Sequence, residues 1–179
     1  MSIRFKSIFL ILIITGIALL SLNCEKDDIC DPSTPVTPRL VIKFFSVDDN
    51  LPKNVTRLGI VSDNFPAADT VFNGVGEIKL ALNPSSDEVE YKLILNIDNA
   101  NQDIIYTDII KFNYSRKVEY VSRACGYKTV YDLNNSVDLP PPFLLNNLFP
   151  IVQGNWIKNI LIENYSITSE NETHVKIYY

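Results

Sequence analysis

Residues 90–97 read Glu-Tyr-Lys-Leu-Ile-Leu-Asn-Ile. Tyr91, Leu93, Leu95 and Ile97 fall on one side of an extended chain, and Glu90, Lys92 and Asn96 on the other. Successive side chains of a strand point to opposite faces, so this alternation marks a half-buried antiparallel strand. The same period lies on both flanks. In Glu77–Leu82, Ile78, Leu80 and Leu82 face in while Glu77 and Lys79 face out. In Arg39–Phe45, Leu40, Ile42 and Phe44 share a face, and Arg39 and Lys43 share the other with Val41. Val55–Ser62, Ile104–Tyr114, Lys117–Ser122, Lys128–Leu133, Trp156–Ile167 and Thr173–Tyr179 are further candidate strands. Turn-forming clusters at 83–87, 98–103 and 169–172 separate them. Ile104–Tyr114 and Trp156–Ile167 are apolar on both faces in places, which predicts central strands. Many strands with little helical period between them predict an all-β chain. The expected fold is an antiparallel β-sandwich of immunoglobulin-like or transthyretin-like architecture.

Asp138–Gly154 departs from the pattern. Pro140-Pro141-Pro142 removes three ladder donors in a row. This stretch is expected to be a proline-rich loop over one end of the sandwich. Phe143, Leu144 and Leu148 would form one short, apolar-faced helix in it.

The first residues carry an address. Arg4 and Lys6 precede an uncharged run from Ser7 to Asn23, and the first acidic residue is Glu25, directly after Cys24. The apolar part of that run is as long as the core of an export signal and shorter than the ~20 residues of a spanning helix. A positive start, an apolar core and a cysteine where polarity begins describe a lipoprotein signal peptide over residues 1–23, with lipidation on Cys24. Residues 24–38, rich in acid and proline, then form an extended tether to a β-sandwich domain over residues 39–179. Ser21-Leu22-Asn23 departs from the usual cleavage box, and Leu20 and Ser21 resemble a box displaced by one or two places, a relaxed form typical of Bacteroidota lipoproteins. Glu25-Lys26-Asp27-Asp28 resembles the acidic export signal that, in the same phylum, sends lipoproteins to the cell-surface side of the outer membrane. A periplasm-facing anchor is the alternative.

Composition removes several classes. Without residues 1–23 the chain has 14 basic against 21 acidic residues. It has no Lys/Arg run, so nucleic acid is not an expected partner. The lone histidine, His174, sits in a strand pattern beside Lys176 and reads as an exposed strand residue. With no second histidine and no Cys-x-x-Cys, no metal site and no cofactor are expected. No Gly-x-Ser-x-Gly elbow or Ser-x-x-Lys is present, so no catalytic residue is assigned. Gly74-Val75-Gly76 starts like a dinucleotide fingerprint, but a strand follows it and not a helix. It reads as a hairpin loop. Asp48-Asp49-Asn50, Asp63-Asn64 and the acids of 98–103 read as turns and not as calcium loops. With Cys24 lipidated, Cys30 and Cys125 remain as an even pair in an oxidising compartment, where a disulfide is the default.

Three fixed points carry a wider resemblance: the start Cys-Glu-Lys-Asp-Asp-Ile-Cys, the strand Thr37-Pro38-Arg39-Leu40-Val41-Ile42-Lys43-Phe44, and Ala124-Cys125-Gly126. Together they resemble an uncharacterised family of Bacteroidota lipoproteins, domain of unknown function 6452. That resemblance implies lipidation and one compact domain, and no activity. The expected role is non-enzymatic binding or envelope assembly. The membrane is a partner through Cys24, and a protein or glycan of unknown identity is the ligand. The alternative is an extracellular carbohydrate-active hydrolase using paired carboxylates.

Overall fold

The computed structural model describes residues 29–62, 70–97, 104–149 and 154–179. It divides into two compact units. Of the described residues, one unit holds 29–34 and 121–126, and the other holds the rest.

The larger unit is an all-β sandwich of two sheets. The smaller sheet contains β1 (Leu40–Phe45), β4 (Glu77–Leu80), β9 (Asn159–Ile162) and β11 (Val175–Tyr178), in the order β4-β1-β11-β9. The larger contains β2 (Leu58–Val61), β3 (Thr70–Phe72), β5 (Glu88–Leu95), β6 (Tyr106–Ser122), β7 (Gly126–Leu133) and β10 (Ser166–Ile167), in the order β10-β7-β6-β5-β2-β3. A short β8 (Phe143–Leu145) joins it on β6. All named pairings are antiparallel except β1 with β11, which run parallel from Ile42–Val175 to Phe45–Tyr178. This one parallel pair departs from the wholly antiparallel sandwich that the alternation suggests.

The inward faces meet in one core. Leu40, Ile42, Phe44, Ile78, Leu80, Ile160, Val175 and Ile177 come from the smaller sheet. Leu58, Ile60, Val89, Tyr91, Leu93, Ile110, Phe112, Tyr114, Tyr131 and Leu133 come from the larger. Three inward tyrosines on neighbouring strands close one end. The hydroxyl of Tyr91 donates to Ala81 O (2.7 Å), that of Tyr131 to Leu82 O (3.2 Å) and that of Tyr114 to Asn83 O (3.2 Å). Tyr114 Oη also accepts from Asn83 N at 2.8 Å. Burial raises the pKa of all three, that of Tyr114 to about 12, so they remain donors. They fix the segment that leaves β4 against the opposite sheet.

Five expectations are corrected. No helix is present among the described residues, and Phe143–Leu145 is a strand. The triple proline holds the chain extended, Asn113 N donates to Pro142 O at 2.9 Å, and Phe143 and Leu145 are buried on alternate positions. Ile104–Tyr114 and Lys117–Ser122 form one 17-residue strand, because Ser115-Arg116 offers no glycine or proline to break it. Trp156–Ile167 is not a central strand. It splits into β9 and β10, the outermost strands of different sheets. Asn164 makes the break: its side chain accepts from Ser166 N at 2.9 Å, and its own N–H shares the His174 carbonyl with that of Glu163. Gly74-Val75-Gly76 is a crossover and not a hairpin loop, since β3 and β4 lie in different sheets. Gly74 supplies the positive φ of 71° that this turn needs. The fifth correction is His174, which is fully buried.

Candidate binding surfaces

Cys24 and the export-signal residues Glu25, Lys26, Asp27 and Asp28 lie outside the described residues. Of the turns weighed as calcium loops, Asp63 and Asn64 and residues 98–103 also lie outside them. Cys30 and Cys125 are joined. Their Cα atoms are 4.8 Å apart in a disulfide within the smaller unit. Cys125 lies in the turn between β6 and β7, and Cys125 N donates to Ser122 Oγ at 3.0 Å there.

An apolar groove of the larger unit lies where the proline-rich segment runs beside β9. The groove there holds about 640 Å³, and Val137, Leu139, Phe143, Phe149, Leu161 and Tyr165 line it. Val137 is 100% exposed, Leu139 50%, Phe149 49% and Leu161 44%. Buried Phe143 meets Phe149 edge to face at 5.6 Å, which holds the aromatic wall upright. Asn134, Asn135, Ser136 and Asn159 rim the groove with neutral polar groups. Its build follows from local chemistry. The prolines have no N–H to give, so here the chain only accepts, as Pro142 O does from Asn113 N. Asn113 and Asn134 then pin it, through Asn113 Nδ2 to Pro141 O at 2.6 Å and Asn134 Nδ2 to Pro140 O at 3.0 Å.

A second, polar groove of about 890 Å³ lies beside Asp87, Glu88, Asn113, Tyr114 and Arg116. Its charges are already matched. Arg116 Nε donates to Asp87 at 2.6 Å and its Nη1 to Pro84 O at 2.6 Å, and Lys111 pairs with Glu88 at 3.4 Å.

Two buried polar residues fall in neither groove. Asp108 is wholly buried, and four donors surround its carboxylate. Asn146 Nδ2 and Asn155 N reach Oδ1 at 2.7 Å, and Trp156 N and Ile157 N reach Oδ2 at 2.9 Å. A buried anion is tolerable when its lone pairs are filled in this way. Sequence reasoning missed this residue. The signal was there: Asp108 shares the inward phase of β6 with Ile110, Phe112 and Tyr114. His174 has one ring nitrogen satisfied, with Nδ1 accepting from Val41 N at 2.9 Å. Its Nε2 is buried without a hydrogen-bond partner. Burial lowers the pKa of His174, and the charges of Glu172 and Glu170 oppose this in part. The ring is therefore neutral and caps the β1 backbone. The strand phase misplaced it because His174 precedes β11 and its ring turns onto the β1 backbone at Val41.

Glu170 gathers cations at the surface. Arg39 donates to both of its oxygens at 2.8 Å and Lys79 to one at 3.1 Å. The Arg39 hydrogen bonds hold the Glu170 carboxyl down at about 2. Among the described residues, no cluster of three or more His, Cys, Asp or Glu side chains could hold a metal ion. The surfaces on hand can bind by apolar contact and amide hydrogen bonds.

A family model described as a family of unknown function, DUF6452, matches residues 55–179. No curated protein matches the chain, and neither does any solved structure.

Proposed function

We propose that this chain, which belongs to the family of unknown function DUF6452, is an exported, lipid-anchored binding module. Its sandwich presents an apolar groove to a partner protein of the cell envelope. Lipid on Cys24 would hold it at the outer membrane, and Glu25-Lys26-Asp27-Asp28 would send it to the cell-surface side. The N-terminal charge and hydropathy pattern supports the anchor. The observation that carries the binding role is the run of solvent-exposed Val137, Leu139, Phe149 and Leu161 around one groove. Contiguous exposed apolar side chains with a polar rim are the usual mark of an interaction site. Apolar walls that combine Val137, Leu139 and Leu161 with Phe149 favour a protein segment carrying apolar side chains of its own.

The rival hydrolase needs one carboxyl held protonated beside one ionised. Asp87 and Glu88, the acids of the polar groove, each face a cation instead. A photo-crosslinking residue at Leu161, on intact cells, tests the binding reading. One discrete protein adduct, lost when Val137 and Phe149 are both changed to Asp, is the expected result. Adducts of no defined mass, or one that persists in the double variant, would overturn it.

A further inference from the structure

We infer that the outer part of the β6–β7 ribbon is a membrane-docking arm that lays Val118, Tyr120 and Tyr127 on the headgroup region of the bilayer holding the lipid anchor. The inference rests on the lipid-anchored reading above and adds a surface to it.

The ribbon stands out from the sheet in its pairing. β5 covers β6 from Tyr106 to Asn113, and β8 covers it from Ile110 to Phe112. Beyond Tyr114, whose N–H still reaches Asp87 O, no described strand but β7 lies beside β6. A two-stranded ribbon by itself is marginal in water. This one also exposes what a sheet ordinarily covers. Val118 is 65% exposed, Tyr120 59% and Tyr127 70%. These three share a face, since Val118 and Tyr120 are two residues apart and the Tyr120 and Tyr127 rings meet edge to face at 5.4 Å. The opposite face is ionic, with Lys117 and Lys128 both paired to Glu119, at 3.0 and 3.6 Å. The ribbon is thus two-faced, one side aromatic and aliphatic, the other charged.

Chemistry and covalent connection select the occupant. Tyrosine has an apolar ring and a polar tip, the combination suited to the membrane interface. The cations of the ribbon are engaged elsewhere, Arg116 with Asp87 and Lys117 and Lys128 with Glu119 on the far face, so the side offered to the bilayer is the aromatic one. The covalent path then limits the distance. Cys24 and Cys30 are six residues apart, the disulfide spans 4.8 Å between Cα atoms, and Tyr127 is two residues beyond Cys125. Even fully extended, that path is about 33 Å at ~3.5 Å per residue. A lipid on Cys24 therefore keeps the aromatic face of this ribbon close to the bilayer at all times. The acyl chains of a lipoprotein cysteine hold the chain at the membrane by themselves, and a second attachment through the ribbon sets its orientation.

The experiment places a photo-crosslinking residue at position 120 or 127 of the full, lipidated chain, with a third version at Tyr165 as control. Each is reconstituted in vesicles of phosphatidylethanolamine and phosphatidylglycerol, irradiated, and read by intact-mass spectrometry. Phospholipid adducts at positions 120 and 127, at least tenfold above those at 165, are expected. Cys30→Ser should reduce them severalfold, and Val118→Asp, which leaves the bridge intact, should reduce them as well. Equal adduct yields at all three positions would overturn the arm, and so would yields indifferent to Val118→Asp. The same spectra report the anchor. A mature chain with an unmodified Cys24 refutes the lipid reading, whereas a lipidated chain without adducts at 120 and 127 refutes the arm alone.

Discussion

At the scale of single residues, the most demanding site is the Asp108 cage. Its four donors include the backbone N–H groups of buried Trp156 and Ile157. Removing the carboxylate strands them, and a buried unsatisfied donor costs about 1–3 kcal/mol. Asp108→Ala should therefore destabilise the sandwich by about 3–5 kcal/mol. Gly154 is part of the same cage, because a Cβ there would lie 2.7 Å from both carboxylate oxygens. Gly154→Ala should destabilise too, and combining it with Asp108→Ala should cost clearly less than the sum of the two. Urea unfolding of the two single variants and the double variant measures this coupling, and strict additivity would separate the sites. His174 gives a pH dependence. Its folded pKa lies below the ordinary 6.5, so the unfolded chain binds more protons. The stabilisation is present above 6.5 and is lost as pH falls below it. Protonating Nδ1 also ends its bond from Val41 N. Glu170, depressed to about 2 from 4.5, loses its contribution lower down, between those two values. Unfolding free energies of the native chain should fall between pH 7 and 5, and those of His174→Asn should be flatter over the same range.

At the scale of elements, the disulfide separates two accounts of the segment before β1. The bridge closes a loop of 94 intervening residues between Cys30 and Cys125. In the chain-entropy picture a loop of that size is worth about 4–5 kcal/mol. Part of that restraint exists without it, because Thr129 N donates to Thr37 Oγ1 at 2.9 Å and β1 lies in the core. Cys125→Ser is therefore expected to lose about 2–3 kcal/mol and to leave the sandwich folded. Guanidinium denaturation with and without reductant checks the figure, and a chain unfolded at 25 °C by reductant alone would contradict it. β8 shows how an element arises without propensity to support it. Proline cannot pair, yet three prolines hold the chain extended long enough to deliver Phe143 and Leu145 to the β6 edge.

At the scale of the whole molecule, the proposed function rests on the N-terminal address and on two exposed apolar surfaces. Cys24→Ala should release the chain from membrane fractions or leave it unprocessed. Replacing Glu25, Lys26, Asp27 and Asp28 with alanine should leave it lipidated and shielded from protease added to whole cells. Equal protease sensitivity before and after that change would remove the export role of those residues.

The sequence by itself determined the class of the fold. The alternation in residues 39–45, 77–82 and 90–97 becomes β1, β4 and β5, with Leu40, Ile42, Ile78, Leu80, Tyr91 and Leu93 all buried. Period two is a local property, and it survives whatever the strands pair with. Cysteine arithmetic likewise named the Cys30–Cys125 pair, because few cysteines leave few pairings. Only the tertiary structure decided the rest. The phase of a strand says that a face is buried and not by which neighbour, so the parallel β1–β11 pairing and the edge positions of β9 and β10 could not be read. Asp108 and His174 break the hydrophobic rule, and their partners come from segments 38 or more residues away. The apolar groove is hidden from the sequence for the same reason. Val137, Phe149 and Leu161 look like ordinary core residues until the fold leaves them outside.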